Sequence, residues 1–110
     1  MKNKKKSTKK IDLPFASKLP LKDSFGDKCF YICNGQVLKN LLELTDALEI
    51  MPNDVFIYHV NEQKNDFANW IKDVLMEPLL ADELCSIKEK DKTQIAVLRF
   101  ILKNTLKKVK

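Results

Sequence analysis

From Leu41 to Leu106 apolar residues recur three and four positions apart, the period of an amphipathic helix, whereas the run before them is short, aromatic and β-branched. That earlier run, Cys29-Phe30-Tyr31-Ile32-Cys33, reads as a strand, and Asn34-Gly35 after it is the dipeptide of a type I′ hairpin turn. Gln36-Val37-Leu38 is then the returning strand, with a helix starting at Gln36 as the alternative. Asn40 with Glu43 three residues on makes a capping box, and Leu41, Leu44, Thr45 and Leu48 give a helix from Leu41 to about Ile50. Pro52 suits the first position of the next helix, whose Val55, Phe56, His59 and Val60 share a face. Asn61 to Lys64 read as a polar turn, and Asn65 as the cap of a third helix striped by Phe67, Trp70, Ile71, Val74 and Leu75. Pro78 opens a short fourth helix bearing Leu79, Leu80, Leu84 and Ile87. Lys88 to Lys90 make a charged turn, and Asp91 with Gln94 reads as a second capping box. The last helix carries Ile95, Leu98, Leu102, Thr105 and Leu106 at helical spacing.

These elements predict an α+β fold, mostly α, in which a small N-terminal β-hairpin packs on four to five short helices as a single domain. Its core is expected around Trp70, Phe56, Leu48 and Leu98. With 110 residues there is room for one such core. The organisation reads as a disordered Lys-rich tail over 1–10, an extended arm over 11–27 with Pro14, Pro20 and Gly26, a compact domain over 28–106, and a basic end over 107–110.

Charge changes the picture because it is unevenly placed. The formal charge is +5, but residues 1–10 hold six lysines and residues 103–110 four, with no acid in either stretch. The residues between them keep ten bases against fifteen acids, a formal charge of −5 for 11–102. Lys2, Lys4, Lys5, Lys6, Lys9 and Lys10 at one end, and Lys107, Lys108 and Lys110 at the other, are therefore the candidate polyanion-binding residues. Flexible cations gain affinity for nucleic acid by releasing its condensed counterions. Lysines without arginine or aromatic neighbours lack bidentate base contacts and stacking, so the expected binding is weak, salt-sensitive and indifferent to sequence. No apolar face accompanies the tail, which argues against a membrane anchor. A protein partner remains an alternative, and the open edges of a two-stranded hairpin would admit homodimerisation.

Three cysteines, Cys29, Cys33 and Cys85, are too few and odd in number for a disulfide framework, and no signal sequence precedes them, which suits a reducing cytoplasm. With His59 they reach the count of a Cys₃His zinc site, but Cys29 and Cys33 lie on an extended segment that cannot curl round a metal. No metal, no cofactor and no special reactivity of Cys85 is expected. The stretch Tyr58 to Ile71 holds the lone His and lone Trp, and His59 with Asp66 has the outline of a carboxylate-oriented general base. Nucleophile context, Gly-rich phosphate loop and second His are all missing. Helix capping accounts for Asn65 and Asp66, and core packing for Trp70. A binding or interaction domain is favoured over an enzyme, with a small enzyme or ligand site on His59 and Asp66, or a structural interaction module, as alternatives.

The order Phe30-Tyr31-Ile32, Gly35, Asn40-Leu41-Leu42-Glu43-Leu44, Tyr58-His59 and Asn65-Asp66-Phe67-Ala68-Asn69-Trp70 resembles a prokaryotic domain family of unknown function, DUF5752. Leu80-Ala81-Asp82-Glu83-Leu84 and Leu98-Arg99 continue it, so the resemblance spans roughly Lys28 to Lys103. It implies a compact, largely helical domain and transfers no catalytic residue. His59, Asn65, Asp66 and Trp70 become signature positions. This chain differs from typical members in its Lys-rich start and in the five residues between His59 and Asn65, where the family has a longer loop.

Overall fold

Asn40 and Asn65 each end an irregular stretch and begin a helix by the same device, an extended backbone whose side-chain oxygen accepts a backbone N–H three residues ahead. In the computed structural model, which describes residues 22–109 and side chains through Leu106, the Asn40 oxygen takes the Glu43 N–H at 2.9 Å. Glu43 reaches back to the Lys39 N–H at 2.8 Å, one residue before the partner a standard capping box uses. Helix α1 follows over Leu41–Ile50, as expected.

The hairpin lies ahead of α1, with strands β1 (Phe30–Tyr31) and β2 (Val37–Leu38) pairing Phe30 with Leu38 and Tyr31 with Val37. That pairing excludes a helix from Gln36. The type I′ turn expected at Asn34-Gly35 does not form, because it needs positive φ at both residues and only Gly35 has it, at 98°. Instead Gly35 N–H bonds the Ile32 carbonyl and Ile32 N–H the Gln36 carbonyl, a longer loop that uses the glycine to re-enter the ladder. Gly26–Lys28 form a 3₁₀ turn in what was expected to be an extended arm. The rest of that arm, through residue 21, and the tail over 1–10 lie outside the described residues.

Helix α2 spans Asn53–His59, and Pro52 caps it rather than being its first residue, since the Phe56 N–H already reaches the Pro52 carbonyl. Helix α3 spans Asp66–Asp73, and a bridge between Val60 and Asn65 closes the turn before it. The chain leaves α3 through Met76, at φ 61°, and enters α4 (Pro78–Cys85) with proline at its start. Leu79 is exposed there, while Leu80, Ala81 and Leu84 face the core. The last helix, α5, spans Lys90–Val109 and packs on α1 and α4.

The buried set joins Phe30, Ile32 and Leu38 of the hairpin to Leu44, Leu48, Phe56, Phe67, Trp70, Ile71, Leu80, Leu84 and Val97. Phe56, Leu48 and Trp70 are in it as expected, but Leu98 is not. In α5 the inward residues are Thr93, Ala96 and Val97, with Phe100 and Ile101 half-buried, and the expected stripe of Ile95, Leu98, Leu102 and Leu106 faces out. Two apolar stripes share this helix, and the one with small side chains at its centre lets α1 and α4 approach closely. Asp91 and Gln94 do not form a capping box: Gln94 donates its amide to the Thr45 carbonyl and Glu49 carboxylate of α1. The first turn of α5 is closed by Thr93, whose N–H and hydroxyl both reach the Glu89 carbonyl.

Candidate functional site

His59 ends α2 with 4 % of its surface exposed, and both ring nitrogens are bonded. The Cys33 backbone N–H donates to Nε2 at 3.1 Å, and Nδ1 lies 2.9 Å from Asp66 Oδ2. A backbone N–H can only donate, so Nε2 must offer a lone pair and the proton sits on Nδ1, directed at the carboxylate. Asp66 also takes the Lys64 ammonium at 3.0 Å, and that ammonium lies 4.6 Å from the centre of the Tyr58 ring. Phe30, Tyr58 and Phe67 surround the imidazole with ring centres 4.9 to 5.5 Å away.

The other signature residues are engaged in the same way. Asn65 caps α3 through its oxygen, which accepts the Ala68 N–H at 3.0 Å, and donates its amide to the Leu84 carbonyl at the end of α4. Trp70 donates its indole N–H to the Lys28 carbonyl at 2.9 Å and packs edge-on against Phe30. His59 and Trp70 thus hold the hairpin segment to the helices from two sides, and Asn65 holds α4 to α3. The structure brings together His59 and Asp66 as the sequence suggested, but as a tie between backbone and helix start. Surface grooves of about 570, 430 and 210 Å³ are lined by residues of α2, α4 and α5 and the turn before α5, and His59 lines none of them.

A family model described as a family of unknown function, DUF5752, matches residues 25–109, most of the chain. The chain belongs to the DUF5752 family. Neither a curated protein nor a solved structure matches it. For this DUF5752 member, His59, Asn65, Asp66 and Trp70 of the signature tie together its hairpin segment, α2, α3 and α4. Cys33 stands in the hairpin turn, exposed, and its backbone N–H links it to His59. Cys85 is exposed and Cys29 partly so, and among the described residues no three His, Cys, Asp or Glu side chains gather. No described helix is long and apolar enough to cross a membrane.

The lysines of residues 2–10, the Lys107 and Lys108 side chains and Lys110 lie outside what is described. The described part of α5 adds cations that the sequence did not single out as binding residues. Lys92, Arg99 and Lys103 are all exposed, and spacings of seven and four residues bring them to one side of the helix. The signal was legible in that spacing. The Cys33 N–H and the Lys28 carbonyl were not, since backbone groups carry no residue-specific mark.

Proposed function

We propose that this DUF5752 domain is a non-catalytic cytoplasmic binding domain whose Lys-rich ends associate with polyanions, nucleic acid first among them. The observation that supports the reading is the cationic side of α5. After Asp91 the sequence carries no acid: Lys92, Arg99 and Lys103 share that side, and Lys107, Lys108 and Lys110 follow them in the sequence. The net negative charge of 11–102 limits attraction to the two ends and to this side of α5. Lysine-dominated contacts of this kind neutralise phosphates without reading bases, so affinity follows charge count and salt.

The test is fluorescence anisotropy of the full chain with labelled mixed-sequence RNA and DNA strands, as a function of salt. Expected are comparable affinities for unrelated sequences and a log–log salt slope that falls by about 0.7 to 0.9 for each lysine neutralised. Removing residues 1–10 should abolish most of the binding, and Lys92→Gln with Lys103→Gln should weaken the remainder. Affinity unchanged by the truncation overturns the proposal.

A further inference from the structure

Ile95, Leu98, Leu102 and Leu106 stand 43 to 59 % exposed on the outward side of α5. Eleven residues of helix place them along a line of about 16 Å. Single exposed leucines are ordinary, but four aliphatic side chains in one line form a contiguous patch of the kind that marks a contact surface. The first three also have the spacing of a two-stranded helical seam, with Ile95 and Leu102 at one core position of the heptad and Leu98 at the other.

The borders of this ridge identify what covers it. On one border runs α1, antiparallel to α5: the Lys90 ammonium reaches the Met51 carbonyl past the end of α1, and Gln94 bonds Thr45 and Glu49 further back. Helix α1 carries Glu43, Asp46 and Glu49 and no base, and Asp46 and Glu49 are exposed. On the other border stands Arg99, exposed and without an ion-pair partner among the described residues, although Glu83 lines the same groove. The ridge is thus acidic along one side and basic along the other.

Such a surface complements itself about a two-fold axis parallel to the ridge, because that rotation lays the acidic border of one copy over the basic border of the next. In heptad terms Gln94, beside Glu49, takes the g position and Arg99 the e position, and parallel helices pair g with e of the partner. An antiparallel pair would set e against e, with Arg99 and Lys92 of one copy near those of the other.

We propose that this face binds a second copy of the chain, with the two α5 helices parallel along their Ile95-Leu98-Leu102-Leu106 ridges and Glu49 of each copy opposite Arg99 of the other. The arrangement places the two Lys-rich C-terminal ends side by side. Salt screens the repulsion between them. This goes beyond the polyanion reading and stands or falls without it.

Sedimentation equilibrium of the full chain in the absence of nucleic acid is the test. The wild type should approach twice the 12.8 kDa chain mass as concentration rises. Leu98→Asp with Leu102→Asp, at outward positions, should give a monomer with unchanged circular dichroism. Arg99→Glu should weaken association by roughly tenfold, two symmetric ion pairs being lost, and Glu49→Arg added to it should restore association. A wild type that stays monomeric, as it would if another segment of its own chain covered the ridge, overturns the proposal. So does a dimer indifferent to the Leu98 and Leu102 changes, and a double charge reversal without recovery overturns the parallel pairing.

Discussion

His59 shows how a residue with catalytic potential is committed to structure. Its Nε2 is occupied by the Cys33 N–H and its Nδ1–H by Asp66, and aromatic rings fill the space around it. Replacing it with leucine keeps much of the volume but leaves the Cys33 N–H without a partner. The cost of such an orphaned donor is about 1 to 3 kcal/mol. We expect His59→Leu to lower the urea midpoint accordingly while leaving RNA and DNA affinity unchanged. Lost binding with retained stability would instead give His59 a direct part in ligand contact. From the sequence alone, His59 and Asp66 could be seen to be neighbours. What lay on the other side of the ring could not, because it is a backbone group 26 residues away.

At the scale of elements, the caps Asn40 and Asn65 and the proline Pro78 were the reliable signals, whereas the Asp91–Gln94 box does not form and Pro52 stands one residue ahead of its helix. Asn40, Asn65 and Pro78 act within a turn of their own position, and the helices begin where they stand. The turn at Asn34-Gly35 and the inward face of α5 were misread for different reasons. A hairpin loop is chosen by how its strands must pair, which put Phe30 opposite Leu38 and lengthened the loop. In α5, periodicity identifies apolar stripes but does not say which one meets the core when there are two. Val97→Ala should therefore cost about 2 kcal/mol, two methyl groups and the space they leave. Leu98→Ala, measured at dilution where the chain is a monomer, should cost less than about 0.5 kcal/mol. Equal losses in thermal unfolding would contradict the assignment of faces.

At the scale of the molecule, the two-residue strands cannot be stable by themselves, and the hairpin persists because Trp70, His59 and Phe30 tie it to the helices. Unfolding should then be one event. Urea curves followed by Trp70 fluorescence, which senses the hairpin contact, and by helical circular dichroism should coincide. A fluorescence change that precedes the helical one would show the hairpin detaching separately. Sequence alone determined the starts of α1, α3 and α4, the mostly helical composition with its hairpin and the placement of charge at the ends, because each depends on residues within a few positions of one another. Tertiary structure alone decided that His59 closes a buried tie, that Gln94 bridges two helices and that the Leu98 stripe faces outward. Those outcomes depend on which surfaces meet, and a helix with two apolar faces cannot settle that without its neighbours.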